Sequence, residues 1–265
     1  LKKMKRLDEK IAVIYGDGAV GAAVAKSFAR EGARIFLTGR TPVKLERVAA
    51  EVRSAGGTIE TARVDALDER MVGEHLSRVV QKAGRVDISF NTIGLPQKGI
   101  QGTALTDLSV ESFMHPVTHY LTAHFITAKA AARQMVGQGH GVILLHTPDA
   151  SRKSPPFVGG MVPTWAALEG FCRSLSVECG PQGVRAVCLQ TTGIPETPLI
   201  GEVWEIQGQS HGITWDQFHS VMEGMTHRKK LTSLAELTST AVFVASDEGS
   251  AILGTVLNLT AGMVH

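Results

Sequence analysis

Only two of the 265 residues are tyrosine, three are cysteine, and aromatic side chains make up 5% of the chain. Each scarcity excludes something. Cys172, Cys179 and Cys188 form an odd set without metal-like spacing and lie in apolar surroundings. They read as reduced core thiols of a cytoplasmic protein rather than as a disulfide framework or a zinc site. No apolar run is long enough to span a bilayer. A formal net charge of +2 lacks the basic excess of a nucleic-acid or anionic-membrane binder, and Lys2-Lys3-x-Lys5-Arg6 reads as a solvated tail rather than a targeting segment. No internal repeat, low-complexity segment or shift of composition marks a second domain. With 43% apolar and 20% charged residues, the length suits one α/β domain over 1–265 with a large buried core.

What is abundant is glycine, 28 residues of it, and one cluster is specific. Residues 11–21 read Ile-Ala-Val-Ile-Tyr-Gly-Asp-Gly-Ala-Val-Gly, an apolar run that breaks into Gly16-x-Gly18-x-x-Gly21 and continues at helical spacing through Ala22, Val24, Ala25, Phe28 and Ala29. A strand that delivers the chain to such a turn lets the backbone approach a pyrophosphate, and the positive end of the following helix favours the anion.

Apolar runs near 11–15, 34–38, 59–64, 86–91, 142–147, 184–190 and 255–260 alternate with helical periodicity. This order predicts a doubly wound, Rossmann-like parallel sheet of about seven strands with helices on both faces. One helix is expected over about 164–179, stopped by Gly180-Pro181, and another from about Leu234 to Ala245. Residues 193–232 hold Pro195, Pro198, Gly201, Trp204, Gly208, His211, Gly212 and Trp215 with little periodicity. They are expected to form a substrate lid over the carboxyl edge of the sheet, where ligands bind in such folds.

Together these residues resemble the short-chain dehydrogenase/reductase family over nearly the whole chain. Val64-Asp65-Ala66 looks like the family's adenine-facing aspartate, and Asn91-Thr92-Ile93-Gly94 like its Asn-Asn-Ala-Gly strand end. Gly141 to Leu145 matches the strand before the catalytic serine. Ala166-Ala167-Leu168-Glu169, Arg173-Ser174-Leu175, Gly183-Val184-Arg185, Ala245-Ser246-Asp247-Glu248 and Asn258-Leu259-Thr260-x-Gly262 follow in family order. The resemblance implies a nicotinamide cofactor held by Gly16, Asp17, Gly18, Val20, Gly21, Arg40, Asp65, Ala66, Asn91, Gly94 and Ile194. It also implies hydride transfer to or from a small-molecule carbonyl or alcohol, and a homo-oligomer, tetramer or dimer, in which helices 112–136 and 164–179 pack between subunits.

The chain departs from the family's pattern in three places. Its glycine loop is one residue short of T-G-x-x-x-G-x-G, and Asp17 sets a negative charge beside the expected phosphates unless its side chain caps the following helix. The second strand closes on Gly39-Arg40 without the acidic residue that reads a ribose 2′-hydroxyl. A guanidinium there suits a 2′-phosphate, so NADP(H) is expected over NAD(H). The third departure is catalytic. Alignment through Ala166-Ala167-Leu168-Glu169 places Met161 on the family's tyrosine and Trp165 on its lysine, counting from Gly141 places Pro148 on the serine, and Tyr120 falls on the asparagine.

Methionine donates no proton and tryptophan carries no charge. Loss of a positioned acid typically costs roughly 10²- to 10⁴-fold in rate. Tyr120, His146 and Thr147 are the candidate substitutes, with Asp149 nearby, although strand alternation can turn His146 to the covered face. His115, His119 and His124 share a predicted helix, but without a carboxylate in register they read as a helix surface or subunit contact, and no metal is expected. Trp204, Phe218 and Met222 either line an apolar substrate pocket or pack within the lid. Two functions follow: an atypical NADP-preferring oxidoreductase, or a catalytically silent nucleotide-binding or scaffold protein.

Overall fold

The computed structural model describes residues 5–208 and 212–263; Lys2, Lys3 and His211 lie outside them. Seven strands run in the order β3-β2-β1-β4-β5-β6-β7 and pair in parallel throughout. They are β1 (Ile11–Tyr15), β2 (Arg34–Gly39), β3 (Thr58–Arg63), β4 (Ile88–Asn91), β5 (Gly141–Pro148), β6 (Val184–Thr191) and β7 (Thr255–Leu259). Each predicted strand is present, with ends shifted by at most two residues.

Because successive strand residues point to opposite faces, one sheet generates two cores. Ala12 and Ile14 of β1 join Val142 and Leu144 of β5 on one face, under α1 (Ala19–Arg30), α2 (Pro42–Ser54) and α10 (Leu234–Ala245). Val13 and Tyr15 join Ile143 and Leu145 on the other, under α3 (Glu69–Ala83), α5 (Thr122–Gln138) and α7 (Met161–Cys179). Cys172 and Cys188 are buried in the second core, and all three cysteines are free thiols.

Helix α7 begins at Met161 rather than 164. Pro163 falls in its first turn, where the missing N–H has no intrahelical acceptor to lose. Met161 and Trp165 thereby stand one turn apart on one face. Before α5, the short α4 (Val110–Pro116) passes into a π-helical turn, Val117–Leu121. Pro116 cannot donate the next helical bond, and side chains take up carbonyls along this stretch. The Thr118 hydroxyl bonds the carbonyls of Met114 and His115, while Nδ1 of His119 and of His124 lie 2.9 Å from the carbonyls of His115 and Tyr120. Two of the three histidines singled out in the sequence are thus bound to the helix's own backbone.

After β5 comes one short turn of helix, α6 (Ala150–Lys153), and after β6 the segment expected as a lid carries α8 (Pro198–Val203) and α9 (Trp215–Gly224). Trp204 meets Trp215 edge-on at 5.8 Å and Trp215 meets Phe218 at 6.2 Å, so the aromatics of this segment pack on one another. Glu202 ties α8 across the cleft, accepting from the amides of Gln97 (2.7 Å) and Lys98 (3.0 Å) after β4. Among the described residues, no helix is long and apolar enough to cross a membrane.

Candidate functional site

Strand order reverses between β1 and β4, which opens a crevice at their carboxyl ends. The glycine turn forms one wall. Gly16 has φ +119°, a backbone conformation that favours glycine, and a Cβ there would lie 2.7 Å from Thr92 Oγ1. Thr92 in turn donates to the Tyr15 carbonyl from its amide (2.7 Å) and its hydroxyl (2.9 Å), which joins the turn to β4. A Cβ on Gly21 would stand 2.0 Å from the Gly16 carbonyl oxygen, so α1 rests directly on the turn.

Gly18 and Gly94 differ from these two. A Cβ at either would find nothing within 4 Å. Gly18 is also the N-cap of α1 and supplies no side-chain cap, which leaves the first-turn amides of α1, Val20 included, without a side-chain partner. An open face beside an uncapped helix start fits the pyrophosphate of a dinucleotide in shape and charge.

Asp17 does not cap α1. Its Oδ2 accepts from the Thr41 amide at 3.1 Å, and its carboxylate lies over Gly39, so it points to the end of β2 and away from the phosphate position. Arg40 is exposed beside it and forms no ion pair among the described residues. It is therefore available to a 2′-phosphate, but next to a carboxylate that repels one. Asp65 leaves β3 on the same edge of the sheet with Oδ1 accepting from the Leu67 amide at 3.0 Å, and Ala66 is buried beneath it.

The far wall corrects several sequence expectations. The Asn91 side chain is consumed within the protein: it donates to Thr127 Oγ1 (2.8 Å) and the Ala123 carbonyl (3.4 Å) and accepts from the Ile93 amide (3.0 Å). It fixes β4 to α5 and is not offered to a ligand. Ile194 is buried, with its carbonyl taken by the amide and hydroxyl of Thr197. Thr147 is fully buried, donates to Glu169 Oε1 at 3.3 Å and touches Cys188. Its parity is that of Ile143 and Leu145, which turns it under α7 and out of the cleft.

His146 has the opposite parity. Its Nε2 lies 2.9 Å from Thr191 Oγ1, and desolvation pushes its imidazole down to about 4, so it is neutral at physiological pH. Tyr120, on the π-turn, is 6% exposed and donates to the His146 carbonyl at 3.2 Å. Burial raises its phenol far above the ordinary range, with only partial relief from a hydrogen bond to Trp165. Met161 and Trp165 are 1% and 8% exposed in the same core as Tyr120. The three pack as one group in this core, which Tyr120 ties to β5 through the His146 carbonyl.

Asp149, next to this region in the sequence, is not among the three candidate substitutes. Its amide donates to the Thr191 carbonyl at 2.7 Å, which locks it between the carboxyl ends of β5 and β6. Desolvation raises its carboxyl to about 6, against the opposing pull of Lys153. Proximity to the strand end is visible in sequence, but the desolvation that raises the group comes from the folded surroundings of a partly buried residue and is not.

A short-chain dehydrogenase family model described as enoyl-(acyl carrier protein) reductase matches residues 16–264. Among curated proteins, the chain is 26% identical over 262 residues to the uncharacterized oxidoreductase YxbG of Bacillus subtilis (strain 168), covering 98% of this chain and 93% of that one. Among solved structures, NAD⁺-bound xylitol dehydrogenase superposes with a TM-score of 0.90 at 23% identity, over 97% of this chain and all of that one. Carveol dehydrogenase from Mycobacterium avium, in complex with NAD, does so with a TM-score of 0.89 at 24% identity, over 98% of this chain and 99% of that one.

Proposed function

The chain belongs to the short-chain dehydrogenase/reductase family, and on that premise we propose that it is a nicotinamide-dependent oxidoreductase of small-molecule carbonyls or alcohols whose proton-transfer group is Asp149. The observation that carries this reading is the open, uncapped glycine turn: Gly18 and Gly94 face free space where a pyrophosphate and its ribose would rest. When bound, the dinucleotide supplies or takes up the hydride.

The protein's own part is to hold the ligand and to manage one proton. Gly16 and Gly21 set the turn, α1 offers its free amides, and Asp65 and Ala66 border the adenine end. In carbonyl reduction the substrate oxygen gains negative charge and requires a donor. Met161 and Trp165 stand in this chain where the family's tyrosine and lysine are expected, and neither fills that role. Tyr120 is neutral, bound to the His146 carbonyl and too weak an acid to part with its proton at neutral pH. Asp149, with a carboxyl near 6, exchanges a proton in the working range. Lys153, one turn further on, favours its ionised form after transfer. The apolar group of Tyr120, Met161 and Trp165 keeps water from the reacting end.

The outer faces of α5 and α7 support a homo-oligomer, since Phe125 (46%) and Val177 (77%) remain exposed there and Phe125 meets Phe171 at a tilt, with centroids 5.7 Å apart. The test is to follow NADH and NADPH oxidation with a panel of ketones and aldehydes, alongside calorimetric titration of each nucleotide. Turnover lost in Asp149→Asn with binding retained supports the reading. Binding without turnover for any carbonyl or alcohol would instead favour the silent nucleotide-binding protein.

A further inference from the structure

The end of β2 and the shortened glycine loop both depart from the usual arrangement, and the structure joins the two departures. In a dinucleotide fold of this type an acidic side chain at the close of the second strand accepts the ribose 2′-hydroxyl. Gly39 closes β2 here, and no side chain fits on it: a Cβ would lie 2.7 Å from both Cγ and Oδ2 of Asp17 and 2.8 Å from its Cβ. The corner therefore holds a carboxylate after all, delivered from the first βα turn. Gly16, at φ +119°, aims the following residue across the sheet edge. The Thr41 amide then fixes Asp17 through Oδ2 at 3.1 Å. Thr41 begins α2 without a side-chain cap of its own, so Asp17 also completes that helix start. Oδ1 has no hydrogen-bond partner among the described residues and remains available.

Building on the dinucleotide reading, we propose that Asp17 is the ribose-reading residue of this protein and that it selects NAD(H) over NADP(H). Its free oxygen accepts from the ribose diol. Its charge repels a 2′-phosphate held at the same corner. Arg40 pulls the other way but is exposed, on a flexible stem and without a fixed partner, whereas the carboxylate is already in place. Gly39 and Asp17 thus act as one device: the glycine leaves the space and the loop fills it. The expectation of NADP(H) that followed from a missing acid at the end of β2 is reversed by an acid from another segment.

The test is calorimetric titration of the purified protein with NADH and with NADPH, for the wild type, Asp17→Asn and the exchange variant Asp17→Gly/Gly39→Asp, each checked for folding by thermal melting. The wild type is expected to bind NADH at least about tenfold more tightly than NADPH, since two like charges at contact range in a half-exposed corner repel by that order. Asp17→Asn keeps the bond to Thr41 while removing the charge, and it should bring the ratio to within about threefold, chiefly by tighter NADPH binding. The exchange variant should restore the preference for NADH. Tighter NADPH binding by the wild type, or a ratio that Asp17→Asn leaves unchanged, overturns the assignment while the dinucleotide reading stands. Binding of neither nucleotide overturns both.

Discussion

On the side of β1, β2 and β3, the cleft presents polar groups that still await partners. Among the described residues one oxygen of Asp17 has no partner, Arg40 forms no ion pair, and the first turn of α1 is uncapped beside the open face of Gly18. Past the switch to β4, β5 and β6, the equivalent groups are already spent. Asn91 is bonded to α5, Thr147 to Glu169 and Tyr120 to the His146 carbonyl, with Met161 and Trp165 sealed in the core. A surface kept for a ligand leaves hydrogen-bonding capacity unfilled, because the ligand supplies the missing partners; a surface kept for packing fills it. By that criterion the β1–β3 side is left as a ligand would need it, in keeping with the proposed dinucleotide site, while the β4–β6 side, where we place the reaction, holds Asp149 in an otherwise closed wall.

The largest effect should come from the group that makes the reacting half more than a wall. Asp149→Asn is expected to reduce turnover by roughly 10²- to 10⁴-fold with little change in nucleotide affinity, which steady-state kinetics and titration separate. The wild-type rate of carbonyl reduction should fall as pH rises through about 6, where the donor loses its proton. If Tyr120 were the donor, no such fall would occur near 6, because burial holds its phenol protonated far above that pH. Asp149→Asn should also stabilise the fold at pH 7.5, since it removes an ionised group that burial disfavours.

Acid should strain the same half. Desolvation depresses His124 and His146 to about 4 from an ordinary 6.5, and His75 on α3 likewise. The unfolded chain therefore takes up these protons first. Each neutral histidine contributes stability that is fully present above 6.5 and is lost as pH falls from 6.5 towards 4, up to roughly 3 kcal/mol per group. Asp149 runs the other way, because its raised carboxyl gains stability as pH falls from about 6 towards its ordinary value. Urea denaturation between pH 7 and pH 4.5 should show a net loss. Amide exchange should rise first in α5 and β5, which hold His124 and His146.

In the binding half, Gly21→Ala drives a methyl group against the Gly16 carbonyl, a contact of 2.0 Å that the turn relieves only by moving off α1. Affinity for both nucleotides should drop by about tenfold or more, since the helix amides no longer face the phosphate position. Gly18→Ala, with open space at its Cβ, should leave the melting temperature unchanged while still obstructing the ligand. A matching loss of stability in the two variants would break the distinction between glycines that shape the turn and glycines that clear the site.

The binding half was also the more legible in sequence, and the reason is range. A strand, a glycine turn and a helix are consecutive, so their pattern and their geometry coincide; β1 begins and ends where its apolar run does. The reacting half is assembled from β4, α5, β5, α7 and β6, and its contacts are set by burial and face. That Thr147 would turn inward was readable from the parity of Ile143 and Leu145, and that the helix after it would start early was readable from Pro163. The π-turn that carries Tyr120 has a visible cause in Pro116, but its form depends on which side chains take up the carbonyls nearby. The carboxylate over Gly39 was hidden for the same reason. Asp17 meets Thr41, 24 residues away, and no local pattern encodes that contact.

Arg40→Ala supplies the finest test, because it asks whether an unpaired charge at the edge of the binding half matters once a fixed one is present. Exposed charges on long side chains contribute little, with a median of about 0–1 kcal/mol for an ion pair. With Asp17 in place, the variant should change NADH affinity by less than about threefold and weaken NADPH by about fivefold at most. In the Asp17→Asn background the carboxylate no longer opposes a 2′-phosphate, and the same Arg40→Ala change should weaken NADPH binding by a larger factor. Coupling of that sign in a double-mutant cycle means that the two residues act on one phosphate position from opposite sides. Additive effects would mean that Arg40 lies out of reach of the ribose and that only the loop carboxylate reads this corner.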